Sequence, residues 1–291
     1  MRETSRSVSI ILTIHNKENL ISRVARALLK NASLNVIELI VVFDGCSDKS
    51  EFFFDKTLKS FKNSHIKIIR CYADDVFETK ANNIGLKCAT GSFVCIIQDD
   101  MVIQEKDFDQ RLLKPFFCFN DCFAVTGRTA HDVEINDDGK TLKWTNLVGR
   151  DEEIDESYLI QFETTFVLKI LRKLKLFKPE RNIFSVRDVV NRGPLMIKLS
   201  MLKKLGYLDE LFAPFTLDDH DLCLKAYKKY GWVCGSYVID YLSDLKWGST
   251  RRNEKIAMIV KNAEKKNMKI IIDRYSDHIR SLKHDEYRIA L

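Results

Sequence analysis

Four short apolar runs, separated by segments with helical periodicity, organise the first hundred residues of the chain. The runs are Val8–Thr13, Ile37–Phe43, Ile66–Tyr72 and Phe93–Ile97. Each has the length of one strand and is rich in β-branched and aromatic residues, the pattern of strands buried on both faces. Strands that alternate with helices favour a doubly wound, mostly parallel sheet. The sequence therefore predicts a Rossmann-like α/β fold.

The fourth run ends in two adjacent carboxylates, Asp99 and Asp100. Open α/β sheets bind ligands at the carboxyl ends of their strands. Adjacent carboxylates repel each other and are tolerated best in water or around a cation. An isolated Asp-Asp pair is usually a polar turn, but polar residues also close the first run (Thr13, His15) and the second (Asp44). We therefore expect a ligand crevice at this edge of the sheet.

The loop after the first predicted strand contains neither Gly-x-Gly-x-x-Gly nor Gly-x-x-x-x-Gly-Lys. This argues against a dinucleotide-binding loop and against a P-loop. A nucleotide can still bind at the predicted edge, with a metal ion neutralising its phosphates in place of a glycine-rich loop.

Composition is that of an ordinary globular protein, with 45% hydrophobic and 30% charged residues among 291. No apolar run approaches the roughly 18–20 residues that span a bilayer. The first residues lead straight into a strand, so we expect no signal peptide. The eight cysteines include no Cys-x-x-Cys pair and most lie in apolar segments. We therefore expect reduced thiols and a cytoplasmic location.

The net charge of +6 is concentrated in basic segments such as Lys169–Lys178 and Asn253–Lys283. Basic amphipathic helices can lie on a membrane, so peripheral contact with the inner membrane face is one interpretation. A surface helix packed on the core is the other. The basic runs lack interleaved aromatics and any known module pattern, which argues against nucleic-acid binding. The sequence indicates no particular oligomeric state.

A second acidic cluster consists of Asp218, Asp219 and Asp221, with His220 among them. It lies where a helix is predicted to begin, because Thr216 followed by Asp219 is close to a capping box. Capping explains one or two of these acids and does not require three with a histidine. The cluster is therefore a second candidate site.

Taken in order, the motifs of the chain resemble those of family 2 glycosyltransferases with the GT-A fold. The stretches that carry the resemblance are Val8–Asn16, Ile40–Asp48, Ala81–Phe93, Gln98–Met101, Gly193–Glu210 and Asp218–Leu222. The resemblance implies one GT-A domain over residues 1–250, with a nucleotide-binding half (1–103) and an acceptor and catalytic half (104–250). A basic helical tail would follow over residues 251–291.

Six residues match positions that hold the nucleotide donor in this family: Thr13, His15, Asp44, Lys80, Asn83 and Asp99. The first three would line the nucleobase pocket, and Asp44 would accept from uracil N3. Lys80 would supply positive charge near the diphosphate, since Asn82 stands where the family has arginine. Asp100 matches the last acid of the Asp-x-Asp motif, which implies an Mn²⁺ or Mg²⁺ ligand.

The acceptor side follows from the same resemblance. Asp219 matches the catalytic base, and Asp218 stands in the position of the preceding glutamate. Asp221 would have a structural role and help to hold Asp218 and Asp219 in place. Trp247 and Arg251 lie where the family places a loop that closes over the donor, and a basic surface loop is the alternative for Arg251.

Several positions depart from the family pattern. Thr13 replaces the usual proline, Ile14 the usual threonine, and Gln98 an acid that often opens the metal motif. The usual Asp-Asp-Gly-Ser reads Phe43–Cys46. These changes are compatible with the fold and bear on the contacts to the base.

The implied function is a metal-assisted, inverting transfer of a sugar, most simply from a UDP-linked donor, to a hydroxyl of a glycan or lipid-linked glycan in polysaccharide biosynthesis. A nucleotidyltransferase would need a basic glycine-rich loop after the first strand, and the chain has none. The remaining alternative is a catalytically silent, glycosyltransferase-like binding or assembly subunit. Asp44, Asp100 and Asp219 argue against it, since a binding module has no need for all three carboxylates.

Overall fold

The computed structural model describes residues 6–62, 64–149, 182–243, 247–248, 254–281 and 288–291. Its first half alternates strands and helices as predicted. The strands are β1 (Val8–Ile14), β2 (Val36–Asp44), β3 (Lys67–Ala73) and β4 (Phe93–Gln98). The helices between them are α1 (Ile21–Asn31), α2 (Ser50–Leu58) and α3 (Phe77–Cys88).

The second half is mixed. Its strands are β5 (Val102–Ile103), β6 (Cys122–Thr126), β7 (Thr129–Ile135), β8 (Leu142–Gly149), β9 (Ile183–Arg187), β10 (Val189–Val190), β11 (Leu195–Lys198), β12 (Val233–Ser236), β13 (Tyr241–Leu242) and β14 (Arg288–Ala290). Its helices are α4 (Phe108–Cys118), α5 (Leu199–Leu205), α6 (Asp218–Tyr230) and α7 (Glu254–Ser281).

Nine strands form the central sheet, in the order β14-β9-β12-β6-β11-β4-β1-β2-β3. The four strands of the first half are parallel to one another, as the alternation predicted. β11 is antiparallel to both β4 and β6, which makes the sheet mixed. A smaller antiparallel sheet, β10-β7-β8, packs beside it. The predicted α/β, mostly parallel architecture with a C-terminal helix is confirmed.

The core forms where the apolar runs meet the helices on either face of the sheet. Every residue of β1 except Thr13 is buried, as a two-faced strand requires. The apolar face of α1 packs on one side through Ile21, Val24 and Leu28. On the other side, Gly85 of α3 lets the helix backbone approach the sheet, since a Cβ there would lie 2.6 Å from Ile11 Cγ2. The carboxyl ends of β1, β2 and β4 consequently meet at one edge.

The apolar segment Val233–Tyr241 predicts one strand, but the structure divides it. β12 ends at Ser236, and Tyr241 belongs to β13, which pairs with β5. β12 ends where its partner β6 ends, since Ser236 lies opposite Thr126, and beyond it the N–H groups of Tyr237 and Ile239 bond to the carbonyls of Thr126 and Gly127.

The C-terminal helix α7 packs against α6. None of the described helices is both long and apolar enough to cross a bilayer. The basic segment Lys169–Lys178 lies outside the described residues, so its expected membrane contact remains a prediction.

Candidate active site

Asp44 ends β2 with a buried side chain that holds the loop between β3 and α3. Its Oδ1 accepts the N–H of Val76 at 2.8 Å, and its Oδ2 accepts the N–H of Phe77 at 2.9 Å. The two bonds fix the backbone that leads into α3. Each carboxylate oxygen keeps a further lone pair, so a ligand donor can still bind.

His15 lies beside Asp44 at the same edge, and its contacts identify its tautomer. Nδ1 is 2.7 Å from the carbonyl oxygen of Asp44, which only accepts, so Nδ1 carries the proton. Asn16 Nδ2 lies 3.2 Å from Nε2 and donates to it. His15, Asp44 and Asp75 place potential ligand atoms within 4.8 Å of one another, close enough for a metal ion. Nδ1 is protonated and Nε2 accepts from Asn16, so neither ring nitrogen offers a free lone pair to a metal ion, and this group suits a polar ligand better than a cation.

Asp99 follows β4 and is held from two sides. Its Oδ2 accepts the N–H of His15 at 3.0 Å, and its Oδ1 lies 3.3 Å from Lys17 Nζ. Burial raises the pKa of Asp99 to about 7, with Lys17 acting in the opposite direction and Asp100 adding to the rise. Lys17 itself is buried and also donates to the carbonyl of Trp247. The strand edge thus contains a buried ion pair next to a second carboxylate.

Asp100 differs from its neighbour. It is partly exposed, and among the described residues its carboxylate makes no hydrogen bond or ion pair. A free carboxylate beside a second acid offers the hard oxygen ligands that Mg²⁺ and Mn²⁺ prefer. The residues at this edge therefore fit a divalent cation bound through Asp100.

Asp218, at the start of α6, is completely buried and paired with an arginine. Arg192 Nη1 lies 2.6 Å from its Oδ2 and Nη2 lies 2.8 Å from its Oδ1, a bidentate ion pair. Thr79 of α3 also donates to Oδ2, at 2.9 Å. The pair ties the loop between β10 and β11 to α6 and α3.

Asp219 is held by the same loop and by the adjacent histidine. Its Oδ2 accepts the backbone N–H of Arg192 at 3.0 Å, and its Oδ1 lies 2.6 Å from His220 Nδ1. Burial acts to raise the pKa of Asp219, but His220 and Arg192 outweigh it and hold that pKa below its usual range. Asp219 is therefore ionised at neutral pH.

Glu78 joins the two acidic clusters. Its Oε1 accepts from Gln98 Nε2 at 3.2 Å and lies 3.4 Å from Arg192 Nε. Contacts therefore run from Gln98, beside Asp99, through Glu78 and Arg192 to Asp218. Gly193 makes the approach possible, because a Cβ there would lie 2.6 Å from Gln98 Oε1.

The structure places the other predicted residues as follows. Thr13 lies at the edge and donates to Asn82 at 3.0 Å. Lys80 is exposed on α3. The amide of Asn83 is engaged with Leu208 and Glu210 inside the protein, so its predicted contact with the nucleotide has no geometric support.

On the acceptor side, Asp221 is completely buried and accepts from Arg274 and Tyr275 of α7, each at 2.8 Å. This agrees with a supporting position. The Trp247 ring lies under Arg23, 5.1 Å from the guanidinium carbon. Arg251 lies outside the described residues.

Sequence reasoning missed Lys17, Glu78, Arg192 and His131. The signal for Lys17 was a lysine directly after the polar end of the first strand, opposite two acids. The signal for Arg192 was an arginine before a Gly-Pro turn that leads into a buried strand. Neither pattern indicates which residues Lys17 or Arg192 contacts, because those residues are distant in sequence.

The comparisons agree with this fold. The family model described as "Glycosyl transferase family 2" matches residues 9–176, more than half of the chain. A structure of GalNAc-T7 with UDP, GalNAc and Mn²⁺ is similar at 13% identity and a TM-score of 0.54, covering 79% of this chain and 42% of that one. The chain thus spans less than half the length of that structure. No curated protein sequence matches the chain.

Glucosyl-3-phosphoglycerate synthase from Mycobacterium tuberculosis, solved with Mg²⁺ and UDP, is similar over most of both chains. The identity is 14% and the TM-score 0.51, covering 98% of this chain and 87% of that one. The same synthase with Mn²⁺, UDP-glucose and phosphoglyceric acid matches at 13% identity with the same TM-score and coverage. At these identities the likeness shows a shared fold.

Proposed function

Because the chain belongs to glycosyl transferase family 2, we propose that it transfers a sugar from a nucleotide donor to an acceptor hydroxyl. UDP in several structures of similar fold supports a UDP-linked donor. The proposed acceptor is a glycan or a lipid-linked glycan in polysaccharide biosynthesis, and the proposed location is cytoplasmic. The proposed enzyme is a single GT-A domain with a C-terminal helix.

The observation that carries the proposal is the line of contacts from Gln98 to Asp219. Gln98 and Glu78 meet at the strand edge, Glu78 faces Arg192, and Arg192 binds both Asp218 and the carboxylate of Asp219. A transferase needs a donor-binding edge and a proton acceptor held in a fixed relation. A module that only binds has no use for a fixed, ionised carboxylate at the far end of such a line.

On the donor side, Thr13, His15 and Asp44 are proposed to hold the nucleobase, and Lys80 to lie near the diphosphate. Asp99, held by Lys17, would face the ribose or the sugar. Asp100 would ligate Mn²⁺ or Mg²⁺. When bound, that ion stabilises the negative charge of the departing nucleoside diphosphate.

On the acceptor side, Asp219 is proposed as general base. Its Oδ2 would take the proton of the acceptor hydroxyl as the acceptor oxygen attacks the anomeric carbon. Attack from the face opposite the diphosphate inverts that centre and requires no covalent intermediate. A positioned base of this kind typically contributes about 10²–10⁴-fold to the rate.

The test is nucleotide release in the absence of acceptor, where water replaces the hydroxyl. Wild type would be assayed with UDP-, GDP-, dTDP- and CMP-sugars, with Mn²⁺ or with EDTA. Asp100→Asn and Asp219→Asn would be compared with Asp121→Asn. Asp121 is an exposed carboxylate that precedes β6, at the opposite edge of the sheet.

We expect metal-dependent release from the UDP-sugars, unchanged in Asp121→Asn. Asp219→Asn should lose about 10²-fold or more in rate while it still binds the donor. Asp100→Asn should lose the metal dependence. Equal release from all four proteins would contradict the assigned residues. Absence of release together with intact nucleotide binding would favour the silent binding subunit.

A further inference from the structure

Two buried imidazoles lie behind Asp219 and have no part in the roles assigned above. His220 Nδ1 bonds to Asp219 Oδ1, and His220 Nε2 lies 3.0 Å from Nε2 of His131 on β7. His131 is 4% exposed and His220 is 6% exposed. Trp144 of β8 packs edge-on against both rings, with centroid distances of 4.9 and 5.1 Å. The three rings contact one another, and His220 joins this cluster to the carboxylate of Asp219.

The contacts limit where the protons can lie. A carboxylate only accepts, so His220 Nδ1 carries a proton. Two imidazole nitrogens 3.0 Å apart share one proton, because two bare nitrogens repel and two N–H groups clash. Burial holds the pKa of His131 well below its usual value, so His131 is neutral. With His220 neutral and its proton on Nδ1, the arrangement that fits has His131 Nε2–H donating to the bare Nε2 of His220.

His131 Nδ1 is then a bare nitrogen. It is buried, and among the described residues it has no hydrogen-bond partner. Leaving one acceptor unsatisfied carries a free-energy cost that a hydrophobic residue at this position would avoid. The cost is understandable if Nε2–H of His131 is needed to set the tautomer of His220.

We propose that His131 and His220 are a positioning pair for Asp219: His131 fixes the tautomer of His220, and His220 holds Oδ1 of Asp219 so that Oδ2 receives the acceptor proton. The pair rests on the proposed function of Asp219 as base. In the step itself, the acceptor O–H breaks and its proton goes to Oδ2. The oxygen lone pair forms the new bond to the anomeric carbon, and the electrons of the old C–O bond leave with the nucleoside diphosphate.

The pair also affects the protonation of Asp219. The titratable and charged groups around Asp219 are His220 and Asp218 on α6, Arg192 on the neighbouring loop, Glu78 of α3 behind Arg192, and His131 of β7 behind His220. The bond from His220 stabilises the ionised form of Asp219. Loss of that bond should raise the pKa of Asp219 and move the acid limb of the pH–rate profile to higher pH.

The test uses substitutions in which a side-chain amide takes the place of one imidazole nitrogen at a time. His220→Asn retains a donor where Nδ1 lies, and His220→Gln places one where Nε2 lies. His131→Gln retains the donor to His220, and His131→Phe removes it. The exposed His65→Gln is the matched control. Each variant is assayed for donor hydrolysis as a function of pH, and its fold is checked by circular dichroism.

We expect His220→Asn to be at least tenfold more active than His220→Gln, and His131→Gln more active than His131→Phe, because misplacing a catalytic group costs about 10²-fold. The acid limb should move to higher pH in His220→Gln and stay near wild type in His220→Asn. The proposal would be overturned if the two substitutions at each histidine lost the same amount of activity and the acid limb of the pH–rate profile did not move. A merely structural role does not depend on which nitrogen is replaced by a donor.

A second readout does not depend on activity. In ¹⁵N-histidine spectra of the wild type, His220 should be protonated at Nδ1 and His131 at Nε2. The opposite tautomers would overturn the proposal even in an active enzyme. If the wild type neither releases nor binds a nucleotide, the proposed function fails, and these spectra still decide whether the pair is arranged as inferred.

Discussion

At the scale of single residues, Arg192 and Asp218 form a buried, bidentate ion pair. The side chain of Arg192 is 6% exposed and that of Asp218 is 0% exposed. Removing one partner of a buried pair leaves the other charge uncompensated, which is far more costly than losing an exposed pair. Arg192 thus stabilises both the fold and the site.

Arg192→Met should destabilise the protein by about 3–5 kcal/mol, measured as the free energy of unfolding in urea. Adding Asp218→Asn to that variant should recover part of the loss, because the buried charge of Asp218 is then no longer left without its partner. Arg26→Met, at an exposed position of α1, should stay within about 0.5 kcal/mol of wild type. A similar small change in Arg192→Met would show that the ion pair does not hold the loop.

The ionisation of Asp219 makes the free energy of unfolding depend on pH, and the protein should be less stable in acid. Its folded-state pKa lies below the ordinary value of 3.8, so its ionised form stabilises the folded state above that value. The contribution is lost as pH falls below about 4. Asp219→Asn should therefore lose less stability than wild type between pH 5 and pH 3 in urea unfolding. Asp121→Asn should follow wild type, and an unchanged slope in Asp219→Asn would contradict the assigned shift.

The residue scale also shows where sequence reasoning fails. A capping role for Thr216 was wrong, because Thr216 and Leu217 have φ of 78° and 60° and no side chain caps α6. The capping pattern was a local signal. The backbone here is set instead by Asn267, some fifty residues later, whose Nδ2 lies 2.9 Å from the Thr216 carbonyl.

At the scale of elements, α7 supports the loop that leads to the proposed base. Asn267 is completely buried, and its Nδ2 also lies within hydrogen-bond distance of the carbonyls of Phe212 and Phe215. Arg274 and Tyr275 bind Asp221 one turn into α6. The periodicity of the sequence predicted this helix. Its contacts were not predictable, because these residues look like ordinary polar positions of an amphipathic helix.

Asn267→Leu should destabilise the protein by about 1–3 kcal/mol, because it leaves buried carbonyls without a donor. It should also slow nucleotide release while donor binding, measured by calorimetry, stays near wild type. Asn262→Leu is the control, since Asn262 is exposed on the same helix. Equal effects of the two substitutions would mean that α7 does not support the loop.

At the scale of the whole molecule, the sheet was predictable in its first half and less so in its second. The runs that became β1, β2 and β4 are buried on both faces, so their patterns are strong. The expectation of two buried faces was wrong for β3, which has no buried residue because it is the edge strand of the sheet. The placement of β11 between β4 and β6 depends on partners distant in sequence. Short strands such as β10 and β13 carry almost no pattern of their own.

The candidate site was also predictable only in part. The carboxylates at the strand edge could be found from the sequence, because the ends of parallel strands meet at one place. The groups that hold them, such as Lys17 and Arg192, come from loops whose paths the sequence does not specify. The proposed donor and acceptor sides are therefore joined by residues that only the folded chain brings together.

The central claim is that the strand edge binds a nucleoside diphosphate with a divalent cation. Calorimetric titration of UDP into the wild type and into Asp100→Asn, each with Mn²⁺ and with EDTA, tests it most directly. We predict binding to the wild type that requires Mn²⁺, and strongly weakened binding to Asp100→Asn under the same conditions. Failure of UDP, GDP, dTDP and CMP alike to bind the wild type in the presence of Mn²⁺ would contradict the account.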